Sequence, residues 1–127
     1  MAVEIVAELG QNHNGSLDVC LRMIEAAKAA GVDAVKLQKR HLPDAIPEHM
    51  KGTVKETPWG SMPYESYKER LEFTVSQYDV IDQACKAIGI RWFVSVWDIP
   101  SLETMVARYP EMPYIKIPSA CLTDDLL

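Results

Sequence analysis

EIVAELGQNHNGSLDVCLRMIEAAKAAGVDAVKLQ, residues 4–38, decides the fold. It opens on a short apolar run of strand character, EIVAEL at 4–9. After a polar turn, Ser16 stands as a helix N-cap before LDVCLRMIEAAKAA, whose apolar residues at 17, 20, 21, 24 and 27 fall at helical spacing. Gly31 reads as the C-cap, and DAVKLQ at 33–38 is a second strand. Strand, helix, glycine, strand is the grammar of a parallel βαβ unit.

The same grammar continues outward. SQYDVIDQACKAIG (76–89) repeats the helix-then-glycine signature, and IRWFVSV (90–96) is a third strand. Pro100 begins a third helix that runs to about Tyr109, YIKIP (114–118) is a fourth strand, and Thr123 is placed to cap a further helix. The interval from Lys39 to about Tyr64 breaks the rhythm, with four of the eight prolines. It reads as a long loop, a kind that is usually functional or disordered. A closed (β/α)8 barrel takes about 250 residues. At 127 residues an open, doubly wound sheet fits the length better, and composition serves both architectures equally.

The formal charge is −5, from 18 acidic and 13 basic residues, with no basic tract. That balance argues against nucleic-acid and membrane-surface partners, so an anionic ligand must be held by a local site. No apolar stretch approaches the ~20 residues of a membrane span. Glu4 and Glu8 interrupt the first apolar run, so no signal peptide is expected. Cysteines 20, 85 and 121 are odd in number and lack zinc-type spacing; they read as reduced thiols of a cytoplasmic protein.

Chemistry gathers at the C-terminal ends of the four strands, the edge where α/β folds bind ligands. Glu8 closes the first strand and leads into Asn12, His13 and Asn14. Lys36 and Gln38, two apart, share one face of the second strand. Ser95 and Asp98 end the third; Lys116 lies in the fourth and Ser119 just beyond it. A lysine between Val35 and Leu37, or between Ile115 and Ile117, needs a carboxylate or a bound anion for its ammonium. Lys36 pairing with Glu8 as a structural ion pair is one reading. Both lysines and Ser119 holding a phosphate or carboxylate is the other. Turn geometry and capping explain Asn14, Gly15 and Ser16, but leave Gln11, Asn12 and His13 together as candidate polar-ligand residues. The loop lacks the Gly-Lys-Ser/Thr of a phosphate-binding P-loop, and His13 with Glu8 is too small a set for a metal.

GQNHNGSLDVCLRMIEAAKAAGVDAVKLQKR resembles the opening of the sialic acid synthases, the N-acetylneuraminate synthase family, and PWGSMPYESYKERLEF, FVSVWD and YIKIPSA extend the likeness along the chain in order. The resemblance implies a TIM barrel that condenses phosphoenolpyruvate with an N-acetylated hexosamine, such as N-acetylmannosamine, to a nine-carbon 2-keto sugar acid with release of phosphate. It also implies a divalent metal, Mn2+, that polarises the sugar aldehyde. By this likeness Lys36, Gln38, Lys116 and Ser119 hold phosphoenolpyruvate, Glu8 is the active-site acid, and Asn12, His13, Asn14 and Ser95 line the substrates.

Such synthases continue for four more βα units, which carry histidine metal ligands, and often for an antifreeze-like domain. The chain is therefore expected to be the N-terminal half of the barrel, residues 1–127, with no metal ligands of its own and inactive by itself. Its partner would be a complementing half or a second copy. Its strands are expected in the order 1-2-3-4 rather than the 2-1-3-4 of an open sheet. In the fourth strand the family pattern Lys-x-Gly-Ser-Gly-acid is replaced by Lys116, Ile117, Pro118, Ser119, Ala120, Cys121. The alternatives are a non-catalytic half-barrel assembly module and a synthase of the legionaminic or pseudaminic acid type.

Overall fold

The computed structural model describes residues 3–42 and 44–127. Four parallel strands, β1 (Val6–Gly10), β2 (Ala34–Lys39), β5 (Arg91–Val96) and β6 (Ile115–Lys116), lie side by side in that order. The order follows the chain, as expected, and is not the 2-1-3-4 of a doubly wound sheet.

Helices α1 (Leu17–Ala29), α3 (Val75–Ile88) and α4 (Ile99–Arg108) connect these strands, and each begins at a side-chain cap. Ser16 accepts the Val19 N–H, Thr74 and Gln77 form a reciprocal capping box, and Asp98 accepts the Ser101 N–H at 2.7 Å. Gly89 ends α3 at φ 70°, a left-handed conformation that glycine adopts without Cβ strain.

Strand parity divides the sheet into two faces. Leu9, Val35, Leu37, Trp92, Val94 and Val96 face the helices and pack with Cys20 and Ile24 of α1, Tyr78, Ile81 and Cys85 of α3, and Met105 of α4. Each large apolar side chain buried there contributes about 1.5–3 kcal/mol. Cys20 and Cys85 are free and buried, and burial pushes both thiols up to about 12. The alternate residues form the second face. There Glu8 stands beside Lys36, Lys36 beside Phe93, and Gln38, Ser95 and Lys116 lie in one row across three strands.

Two expectations need correction. The interval after β2 is not a featureless loop. It holds a 3-10 turn (Glu48–Met50), an antiparallel hairpin of β3 (Val54–Thr57) and β4 (Gly60–Pro63), and then helix α2 (Tyr64–Leu71). Helix α2 buries only Leu71 fully, so it carries no apolar stripe for periodicity to detect. Thr123 caps no helix; the chain instead makes a short 3-10 turn at Ser119–Cys121. Among the described residues no helix is long and apolar enough to cross a membrane.

Candidate functional site

Lys36 is 8% exposed and sits on the second face of β2. Its ammonium contacts the Glu8 carboxylate and donates to Ser95 Oγ at 2.6 Å. Both neighbours come from adjacent strands: Glu8 pairs with Lys36 in register, and the long lysine side chain reaches diagonally to Ser95, two residues beyond its register partner Phe93. The Glu8 side chain remains 48% exposed, which leaves one end of the pair open to solvent. Gly10 closes the group. A Cβ there would lie 3.1 Å from Glu8 Oε1, 3.5 Å from Gln38 Nε2 and 3.9 Å from Asn12 Nδ2, so these three polar side chains converge on one glycine.

The other candidates fall differently. Lys116 shares the face and pairs in register with Ser95, but its ammonium is exposed and donates to the Ile117 carbonyl at 3.0 Å. Ser119 is exposed in the 3-10 turn beyond. The two lysines thus share one face of the sheet without a common contact. His13 turns away from the edge: it is 2% exposed, stacks on Phe73 at 4.1 Å, and its Nδ1 accepts the Gly15 N–H. Burial lowers its pKa to about 4, so the ring is a neutral part of the turn rather than a ligand at the edge. Asn14, at φ 52°, is an exposed turn residue. Asn12 donates to the Leu9 carbonyl and stays exposed beside Gly10.

A second polar cluster surrounds Glu72. Glu72, directly after α2, accepts from the Arg40 backbone N–H at 3.1 Å, from Lys39 Nζ at 3.4 Å and from Gln11 Nε2 at 3.3 Å. Burial pushes its carboxyl up, against the opposing pull of Lys39 and Arg40. Lys68 of α2 donates to Gln11 Oε1 at 3.1 Å, and burial, reinforced by Arg40, lowers its ammonium to about 8. Gln11 therefore ties the first turn to α2, which accounts for one of the amides crowded there. The sequence signal was an acid, Glu72, between two apolar residues, Leu71 and Phe73, that both prove buried.

Cys121 is half-buried, with Sγ 4.0 Å from the Trp97 carbonyl oxygen, and burial and Asp124 raise its thiol above the ordinary range. Among the described residues no group of three or more His, Cys, Asp or Glu side chains is placed to hold a metal ion.

A sequence profile of the NeuB family matches residues 23–127. The N-acetylneuraminate-9-phosphate synthase of Drosophila melanogaster is 37% identical over 120 residues, 93% of this chain and 32% of that protein. The N,N'-diacetyllegionaminic acid synthase of Legionella pneumophila is 29% identical over 127 residues, 98% of this chain and 35% of that protein. The crystal structure of a sialic acid synthetase from Leptospira borgpetersenii, in complex with citrate, superposes with a TM-score of 0.70 at 23% identity, over 94% of this chain and 38% of that one. The chain thus spans about a third of the length of the curated relatives it matches.

Proposed function

The chain belongs to the NeuB family, and on that premise we propose that it forms the first four βα units of a TIM-barrel sugar-acid synthase. That enzyme joins phosphoenolpyruvate to an N-acetylated hexosamine and releases phosphate. The observation that carries the reading is the Glu8–Lys36–Ser95 group, with Gln38 and Asn12 converging on Gly10, at the C-terminal edge of a parallel sheet.

Lys36 is held by two neighbours in a buried place, so its charge is already oriented when an anion arrives. Such preorganised charge is worth more than a mobile one, because nothing has to reorganise as the reaction proceeds. Lys36 and Gln38 hold the phosphoenolpyruvate carboxylate or phosphate, and Lys116 and Ser119 complete the anion site from the end of β6, two strands away. Glu8, bonded to Lys36 yet half exposed, is the group that can hold a proton near the reacting carbons. Asn12 and Ser95 offer hydrogen bonds to the sugar. The described residues offer no ligand set for the divalent metal of this family reading.

The test is phosphate release from phosphoenolpyruvate in the presence of Mn2+, with N-acetylmannosamine, its 6-phosphate or a diacetamido hexose as acceptor. It is run on this chain alone and with a polypeptide supplying the remaining βα units. Turnover with the complement that Lys36→Met cuts about a hundredfold supports the proposal. Turnover that Lys36→Met leaves within about threefold of the parent overturns the site.

A further inference from the structure

The polar turn between β1 and α1, residues 10–15, carries Asn12, whose amide converges with Glu8 and Gln38 on Gly10. That turn is docked on α2 and the residues that follow it. Gly15, at φ 76°, lies so close to the end of α2 that a Cβ there would stand 1.9 Å from the Arg70 carbonyl oxygen. His13 stacks on Phe73 with ring centroids 4.1 Å apart. Gln11 engages both ends of its amide: Nε2 donates to Glu72 Oε1 at 3.3 Å, and Oε1 accepts from Lys68 Nζ at 3.1 Å.

Each anchor of Gln11 is itself fixed. Glu72 also accepts from Lys39 and from the Arg40 backbone N–H at the end of β2. The Lys68 ammonium lies 5.4 Å from the Tyr64 ring centroid and 5.2 Å from that of Tyr67, so cation–π attraction restrains it on its own helix. The Gln11 carbonyl accepts the Asn14 N–H at 3.1 Å, so its backbone closes the turn that its side chain ties down. Asn12 is the next residue. Only the soft backbone dihedrals separate the two, so a shift of Gln11 carries Asn12 with it. Closing a turn does not require an amide bonded at both ends to groups 57 and 61 residues away.

We propose that Gln11 is a positioning residue for the acceptor sugar: clamped between Lys68 and Glu72, it holds Asn12 beside Glu8, where the Asn12 amide meets the hexosamine. The inference rests on the synthase reading above. The anion end of the site is held differently, with Lys36 fixed by Glu8 and Ser95 on adjacent strands. Gln11 therefore bears on the acceptor rather than on phosphoenolpyruvate. A binding group misplaced by about 1 Å already loses much of its effect.

The test is steady-state kinetics of phosphate release by the chain assembled with the complementing polypeptide. The acceptor is N-acetylmannosamine, its 6-phosphate or a diacetamido hexose, whichever turns over, and it is varied against phosphoenolpyruvate. Gln11→Met keeps the length of the side chain and deletes both bonds. It is expected to raise the acceptor KM about tenfold, the scale of one or two net hydrogen bonds, and to leave the phosphoenolpyruvate KM within about threefold. Lys68→Met should reproduce this split, and Lys68→Arg, which can still donate to Gln11 Oε1, should return the acceptor KM to the parent's range. Lost stability alone would lower the amount of active protein without separating the two constants. Asn12→Ala should itself raise the acceptor KM, and in that background Gln11→Met should add less than about twofold, because a residue that acts through another has nothing left to place. If Gln11→Met fails to fold, the two Lys68 variants decide, alone and in the Asn12→Ala background. No rise in the acceptor KM, a rise shared by both substrates, or effects that multiply with Asn12→Ala overturns the inference and leaves the synthase reading standing. No turnover by the parent assembly with any of the three acceptors overturns that reading, and this inference with it.

Discussion

Lys36 and Glu72 are both charged groups set among apolar neighbours, and the structure treats them in opposite ways. Lys36 meets partners on adjacent strands of its own sheet, and its acid stays half open to solvent. Glu72 is enclosed by residues from the first turn, from the end of β2 and from its own segment. An ion pair left ajar can exchange its partner for a ligand. One whose members are all nearly buried holds the chain together. Charge and burial alone do not separate a candidate ligand site from a structural ion cluster; solvent access by one partner is what differs between the two.

Glu72→Gln tests the structural half of this contrast and carries the largest expected effect. The amide keeps the size of the side chain but leaves Lys39 and Arg40 without a neutralising charge. Removing one member of a buried ion network typically costs about 3–5 kcal/mol. Urea unfolding at neutral pH should show a loss of that order, and a loss under about 1 kcal/mol would mean the cluster is better solvated than its burial implies.

His13 extends the same contrast to pH. Its folded pKa of about 4 lies below the ordinary 6.5, so between those values the unfolded chain binds a proton that the folded chain refuses. The stabilisation from burying the neutral ring is therefore fully present above pH 6.5 and is lost as pH falls toward 4. That difference amounts to up to about 3 kcal/mol. Unfolding free energies measured from pH 7 to pH 4 should fall by that order, and His13→Gln should flatten the slope over this window. An equal slope in the variant would place the titration elsewhere.

Lys36→Met probes the open half. The Glu8 carboxylate left behind is half exposed and can be hydrated, so stability should change little. In the assembly that turns over, phosphate release should drop about a hundredfold, the size of one lost preorganised contact to developing charge. A variant that unfolds instead would make Lys36 a second Glu72 and erase the distinction.

The sequence showed these two regions unequally. Period-two alternation in DAVKLQ placed Lys36 and Gln38 on one face, and the strand-helix-strand grammar placed Glu8 and Ser95 at the same edge. Local periodicity suffices wherever neighbouring strands supply the partners. Glu72 and Lys68 were invisible by that route, because α2 buries a single residue fully and its polar side chains face other polar groups across the chain. The hairpin β3–β4 was hidden likewise: its eight strand residues include none that is buried, so no alternation marks them. His13 was drawn toward the edge by its polar neighbours, whereas its ring is held by stacking on Phe73, a residue 60 positions away that no local pattern predicts.

Cys121 offers the smallest and finest test. It stands where the family pattern has an acid, and it lines a pocket together with Arg40 and Trp97. If the thiol had taken over proton chemistry, its pKa would need to fall toward neutrality. The structure pushes it the other way, through burial and the Asp124 carboxylate, with only Arg40 opposing. Lys116, the other cation that could depress it, is turned to the Ile117 carbonyl. A thiol protonated at neutral pH is a weak acid and a poor base, so the position is better described as vacant of catalysis than as refitted. Cys121→Ser keeps the size and the weak contact to the Trp97 carbonyl. In the assembly that turns over it should leave the rate within about threefold, well under the ~1.4 kcal/mol of a tenfold change. A hundredfold loss would show that the sulfur works in the reaction, and that the open region extends from Glu8 and Lys36 across the sheet to the end of β6.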